Sequence, residues 1–119
     1  MSCRAAPPTS SAKAEPPPDA GLWRHVQIAV ALSLAVPVDS LRAPTRCRSD
    51  VAFARQVAMY VAHAVLGISY SAVGRLCGRD HKTVFHACRV VEQRRDDPAV
   101  DRMLHVLSDF CREMTEAWA

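Results

Sequence analysis

The sequence predicts an all-α chain, a small helical bundle containing a helix-turn-helix, with a disordered N-terminal tail. Three observations carry this reading. Apolar residues recur at helical spacing in stretch after stretch. Gly78 and Asp80 stand where one short helix must stop and a second must start. Half of the 119 residues are apolar, enough for a small helical core and for one domain with its tail.

Residues 1–20 form the tail. They are rich in Pro, Ala and Ser, poor in large apolar residues, and lack the apolar run of a signal peptide. Pro16-Pro17-Pro18 favours an extended, stiff linker. Residues 21–119 form the domain. Its first helix runs from Leu22 to about Val36, with Leu22, Val26, Ala29, Val30 and Leu34 on one stripe. Pro37 ends it. The stretch is apolar nearly all round from Val26, but it is too short to span a bilayer, so it reads as a core helix.

Val38 to Ser49 reads as a connection in which Leu41 plugs the core and Arg42, Arg46 and Arg48 surround Pro44. Asp50 to Leu66 is the second long helix, with Val51, Ala54, Val57, Ala58, Val61, Ala62 and Val65 as its buried stripe; Gly67 stops it. His63 on that helix reads as partly buried or on the surface.

A short helix from Ser71 to Cys77 then turns at Gly78, which takes positive φ without steric cost. Asp80 caps the next helix, which runs from His81 to about Arg95. That helix has two unlike faces. Val84, Ala87, Cys88 and Val91 share a stripe suited to burial, while Lys82, Phe85, His86 and Arg89 lie opposite. Asp96-Asp97-Pro98 stops it and restarts the chain, with Asp97 as cap and Pro98 in the first helical position. Val100, Met103, Leu104, Leu107, Phe110, Cys111 and Met114 give an amphipathic final helix to about Trp118.

Charge is unevenly spread. From Arg42 to Arg95 there are ten Lys/Arg against three Asp/Glu, and elsewhere five against nine, so a net charge of +3 conceals a basic middle and acidic flanks. A phosphate-facing surface has that distribution. The five cysteines, Cys3, Cys47, Cys77, Cys88 and Cys111, are odd in number and contain no CxxC pair, which points to a reducing cytosol without a disulfide frame. Cys77, His81 and Cys88 lack the spacing of a known zinc site. The sequence calls for no metal, no cofactor and no membrane partner. An enzyme would have only His81, His86, Cys77 and Cys88 to work with, in a bundle offering little cleft.

The run GRDHKTVFHACRVVE, Gly78 to Glu92, closely resembles the signature of the C-terminal DNA-binding domain of the bacterial chromosomal replication initiator DnaA. Further matches lie at Arg55-Gln56-Val57-Ala58-Met59-Tyr60, Gly67, Val73 and Gly74, and the resemblance covers roughly residues 22–110. It implies a helix-turn-helix that binds double-stranded DNA at DnaA-box-like sites, in the cytoplasm at the nucleoid, regulating replication initiation or transcription. A replication initiator acting at the same sites is a further partner. The implied base contacts are Asp80, His81, Lys82 and Thr83. Phe85, with His81, can present apolar atoms to thymine methyl groups. Arg79, His86 and Arg89 are expected at phosphates, and Arg55 and Gln56 look like a phosphate-contacting pair. Arg42, Arg46 and Arg48 stand on the loop that in the family reaches the minor groove, a region of enhanced negative potential where it is narrow.

Lys82, Phe85, Val90 and Tyr70-Ser71-Ala72 depart from the family's usual residues; Leu is usual at Phe85, and Leu-Pro-Glu at 70–72. No Gly-rich phosphate loop with Lys-Ser/Thr occurs, so ATPase activity and origin melting are not expected of these residues. Without a sustained heptad run the chain is expected to be a monomer. The rival reading is a protein-interaction module that kept the fold and lost DNA binding.

Overall fold

The computed structural model describes residues 19–42 and 49–118, with side chains for 20–41 and 50–117. Residues 1–18 of the expected tail and the loop arginines Arg46 and Arg48 lie outside the described residues, as does the side chain of Arg42, while Asp19 and Ala20, expected at the end of the tail, begin the first helix. Six α-helices and one π-helical turn make up the described chain: α1 (Asp19–Leu34), α2 (Val38–Arg42), α3 (Ser49–Tyr60), the π turn (Val61–Val65), α4 (Tyr70–Cys77), α5 (His81–Arg94) and α6 (Pro98–Trp118). Among the described residues no helix is long and apolar enough to cross a membrane.

Helix α3 is central. It packs on α5, α1 and α2, while α6 closes the bundle against α1 and the π turn. Val26 and Val30 of α1, Val57 of α3, Val61 of the π turn, Val73 of α4, Val84 and Val91 of α5, and Leu104, Leu107 and Cys111 of α6 are fully buried. At about 25 cal/mol per Å² of apolar surface removed from water, this shared interior holds the six helices together.

Each element departs from the expectation only where local geometry intervenes. Helix α1 ends at Leu34 because Ala35 turns left-handed, φ 57°, which lets the Val36 N–H reach the Ala31 carbonyl at 3.0 Å and buries Val36. Trp23, unassigned in the expected stripe, is buried, while Leu22 is half-buried. The segment read as a plain connection contains α2, a single helical turn that carries the buried Leu41.

The expected second long helix is α-helical only to Tyr60. It then widens: Leu66 donates to Val61 at 3.2 Å, five residues back, and Ile68 to Ala62 at 3.1 Å, six back. Widening keeps Val61 and Ala62 fully buried before Gly67, φ 76°, ends the element. On α6, Phe110 was expected in the packed stripe but is 53% exposed, beside an exposed Val106. It sits on the rim of a stripe whose centre is taken by Leu107 and Cys111.

A polar network joins three helices away from the turn. The Tyr60 hydroxyl donates to Glu92 Oε2 at 2.7 Å and accepts from Arg95 Nη1 at 2.8 Å. Arg95 Nε in turn donates to Asp101 Oδ1 at 2.7 Å. The end of α3 is thereby tied to the end of α5 and the first turn of α6.

Candidate nucleic-acid interface

The turn between α4 and α5 is built by caps. Ser69 Oγ accepts from the Ala72 N–H at 3.1 Å and starts α4 one residue earlier than expected. Gly78 ends it in the left-handed region, φ 70°. The next amide, Arg79 N–H, donates to the Gly74 carbonyl at 2.8 Å. That return path runs so close to α4 that a Cβ on Gly74 would stand 2.6 Å from the Arg79 carbonyl oxygen. Asp80 then caps α5: its Oδ1 accepts from the Lys82 N–H at 3.2 Å, and its backbone is extended. The His81 Nδ1 lies 3.0 Å from the same oxygen.

The expected buried stripe of α5 holds: Val84, Ala87, Cys88 and Val91 are all buried. The opposite face is therefore forced outward. Asp80, His81, Lys82, Thr83, Phe85, His86 and Arg89 are all exposed, and so is Arg79 immediately before the cap. These eight side chains share the first turns of one helix and the residues leading into it. The positive end of the helix dipole points the same way, beside the exposed cations Arg79 and Lys82, so the surface suits an anionic partner.

Phe85 is part of a wider arrangement. Its ring meets Tyr70 of α4 edge to face, centroids 5.5 Å apart and planes at 83°. The Arg89 guanidinium carbon lies 5.8 Å from its centroid. Tyr70 is stacked on His63 of the π turn at 3.8 Å and 17°.

The residues expected at phosphates divide. Arg79 and Arg55 line one cleft of about 700 Å³ with Arg24, above a floor that includes Trp23, Leu41 and Met59. Arg55 is half-buried and donates from Nη2 to the Ser40 carbonyl at 2.8 Å, so it also pins α3 to α2. Gln56 beside it is half-buried. His86 and Arg89 stand on the outer face of α5. Sequence reasoning missed Arg24, whose place on α1 brings it to the cleft, and Ser69, although a serine three residues before Ala72 is a legible cap signal.

Of the described cysteines, Cys88 and Cys111 are buried and Cys77 is half-buried. Burial pushes the thiols of Cys77 and Cys111 up, and that of Cys88 to about 11, with the nearby Glu92 adding to the last. Cys77, Cys88 and Cys111 are free thiols. Among the described residues no group of three His, Cys, Asp or Glu is arranged to hold a metal ion.

Comparison with known proteins agrees with this arrangement. Residues 24–91 match the family model described as the bacterial dnaA protein helix-turn-helix. The chromosomal replication initiator protein DnaA of Azoarcus sp. (strain BH72) is 38% identical over 90 residues, 74% of this chain and 18% of its own. DnaA 2 of Chlamydia trachomatis is 37% identical over 71 residues, 60% of this chain and 15% of its own. The chain thus spans less than a fifth of the length of these relatives. A crystal structure of a DNA replication initiation factor superposes with a TM-score of 0.71 at 26% identity, covering 81% of this chain and 30% of that one. Matched over more than half its length, across the turn and the capped helix just described, the chain belongs to the bacterial DnaA helix-turn-helix family.

Proposed function

We propose that the chain binds double-stranded DNA sequence-specifically at DnaA-box-like sites, with α5 lying in the major groove. The observation that supports this most is the exposed first turn of α5. It carries Asp80, His81, Lys82 and Thr83 outward while Val84, Ala87, Cys88 and Val91 anchor the same helix in the core. Thr83 can hydrogen-bond a base edge or a phosphate, and His81 and Phe85 can offer apolar atoms to a thymine methyl. Lys82 reads guanine or holds a phosphate. Arg79, His86 and Arg89 neutralise the sugar–phosphate backbone beside the helix, and Arg55 and Gln56 anchor it from α3. Arg42, Arg46 and Arg48 supply the minor-groove contact. These residues act as a monomer and without nucleotide hydrolysis. Their role is to regulate replication initiation or transcription at such boxes, sharing sites with a replication initiator.

Fluorescence anisotropy against an initiator-type box and a scrambled duplex, over a salt series, tests the reading. His81→Ala or Thr83→Ala should cost about 1–3 kcal/mol on the box and far less on the scrambled duplex. Arg55→Ala should weaken both duplexes and reduce the salt slope by about 1. Equal losses on box and scrambled duplex for His81→Ala would remove α5 from the groove. Equal affinity of the unmodified chain for both would reduce the reading to non-specific DNA binding, and binding to neither would leave the protein-interaction reading in its place.

A further inference from the structure

Phe85 stands on the outer face of α5 with 45% of its surface exposed. A ring so placed forgoes much of the stabilisation that burial would give it. It is nevertheless held. Tyr70 meets it edge to face, and Arg89 lies near its ring. Tyr70 is backed by His63, whose Nδ1–H donates to the Ile68 carbonyl at 2.8 Å, and the Tyr70 and His63 rings are nearly parallel. The widened backbone of the π turn carries His63 to that position. Side chains from three elements therefore form one ridge, ending on the reading face one turn beyond His81.

The tip of the ridge is apolar and rigid, and it is flanked by a cation. In the major groove the apolar feature is the C5-methyl group of a pyrimidine. A ring already fixed by its neighbours loses little rotamer freedom on meeting it. Arg89, one helical turn further on, is spaced to meet a phosphate while the ring meets the base.

Taking up the contact of Phe85 with a pyrimidine methyl, we propose that Tyr70 and His63 are positioning residues that fix its ring and so set how sharply the chain discriminates a 5-methylpyrimidine from its unmethylated counterpart. The methyl group can be that of thymine or of 5-methylcytosine. The inference rests on the groove docking of α5 proposed above.

The test begins with the duplex that the full chain enriches from a random pool. Each thymine in it is then replaced singly by deoxyuridine, and each cytosine by 5-methylcytosine, and affinities are measured. At one position, loss of the methyl should weaken binding about fourfold, or its addition strengthen binding as much, the effect of burying one carbon. In Phe85→Ala and Phe85→Gln that ratio should fall to about one, while the ratios at other positions persist. Tyr70→Ala should shrink it, and Tyr70→Phe, which keeps the ring, should restore it. A Tyr70 that only supports the fold would weaken all duplexes alike and leave the ratio unchanged, which would overturn the assignment. So would a Phe85 variant that still discriminates the methyl. An enriched duplex with no methyl-sensitive position removes the ridge alone; no enrichment of any sequence removes the groove docking with it.

Discussion

Two glycines, Gly74 inside α4 and Gly78 in the turn after it, do different work, and substituting each separates them. Gly78 is needed for its backbone: at φ 70° a side chain is strained, but a Cβ there meets nothing within 4 Å. Gly78→Ala should cost about 1–2 kcal/mol from the left-handed conformation alone. Gly74 sits inside α4, where alanine would otherwise favour the helix by up to about 1 kcal/mol. Its Cβ, however, would meet the Arg79 carbonyl oxygen at 2.6 Å, and that atom is backbone. Gly74→Ala should therefore lower stability by about 1–3 kcal/mol. It should also weaken DNA binding beyond the loss of stability, because the path into the α5 cap must shift. Urea unfolding and anisotropy on the same variant check both halves. The Gly78 turn and the Asp80 cap were legible from residue type alone, since only their own backbone is involved. Gly74 was not, because its constraint comes from a carbonyl five residues away that approaches only once the turn has formed.

Among the elements, α5 was the most legible. Its burial stripe is a property of one regular helix, and the four expected residues are the four that are buried. The long helix from Asp50 was legible in its burial, except that Val65, expected in the buried stripe, is only half-buried, and it was not legible in its geometry. Periodicity records which side chains face inward, and the π turn keeps Val61 and Ala62 inward while changing the hydrogen bonding that carries them. The polar tie at the end of the same element was also unreadable, since Tyr60 and Arg95 are far apart in the chain and Arg95 reads as one more surface charge. Tyr60 is buried, and its hydroxyl both donates to Glu92 and accepts from Arg95. Tyr60→Phe keeps the packing and deletes both bonds, so it should destabilise the bundle by about 1–2 kcal/mol. If the network is what seats α5 on α3 and α6, hydrogen exchange should accelerate at the C-terminal end of α5 and not at the Asp80 cap. Equal acceleration at both ends would show that Tyr60 acts through the core as a whole.

At the scale of the molecule, the buried acids make stability depend on alkaline pH. The Cys88 thiol is pushed up to about 11, by burial first and by the Glu92 charge second. Tyr60 is raised from 10.0 by burial first and by its bond to Glu92 second. Both are neutral when protonated, so the folded chain holds these protons more tightly than the unfolded chain does. Their contribution is complete below the unfolded values, near pH 9 for the thiol. It is lost as pH rises through the folded values, because the unfolded chain then gains by ionising while the folded chain does not. Cys77 and Cys111, raised by burial, act in the same direction. For Cys88 alone the loss by pH 11 is about 2 kcal/mol. Asp101 has the opposite sign: held down by its hydrogen bond to Arg95, it favours the fold above the ordinary carboxylate range, and its contribution goes as pH falls through its lowered value. Unfolding free energy measured in urea should thus be nearly level around neutrality and fall steeply between pH 9 and 11. Cys88→Ala should start lower, from the small cavity it leaves, and decline less steeply over that interval. It is the slope, free of the packing cost, that reports the thiol. An unchanged slope would mean that ionisation elsewhere governs the alkaline limit of this fold.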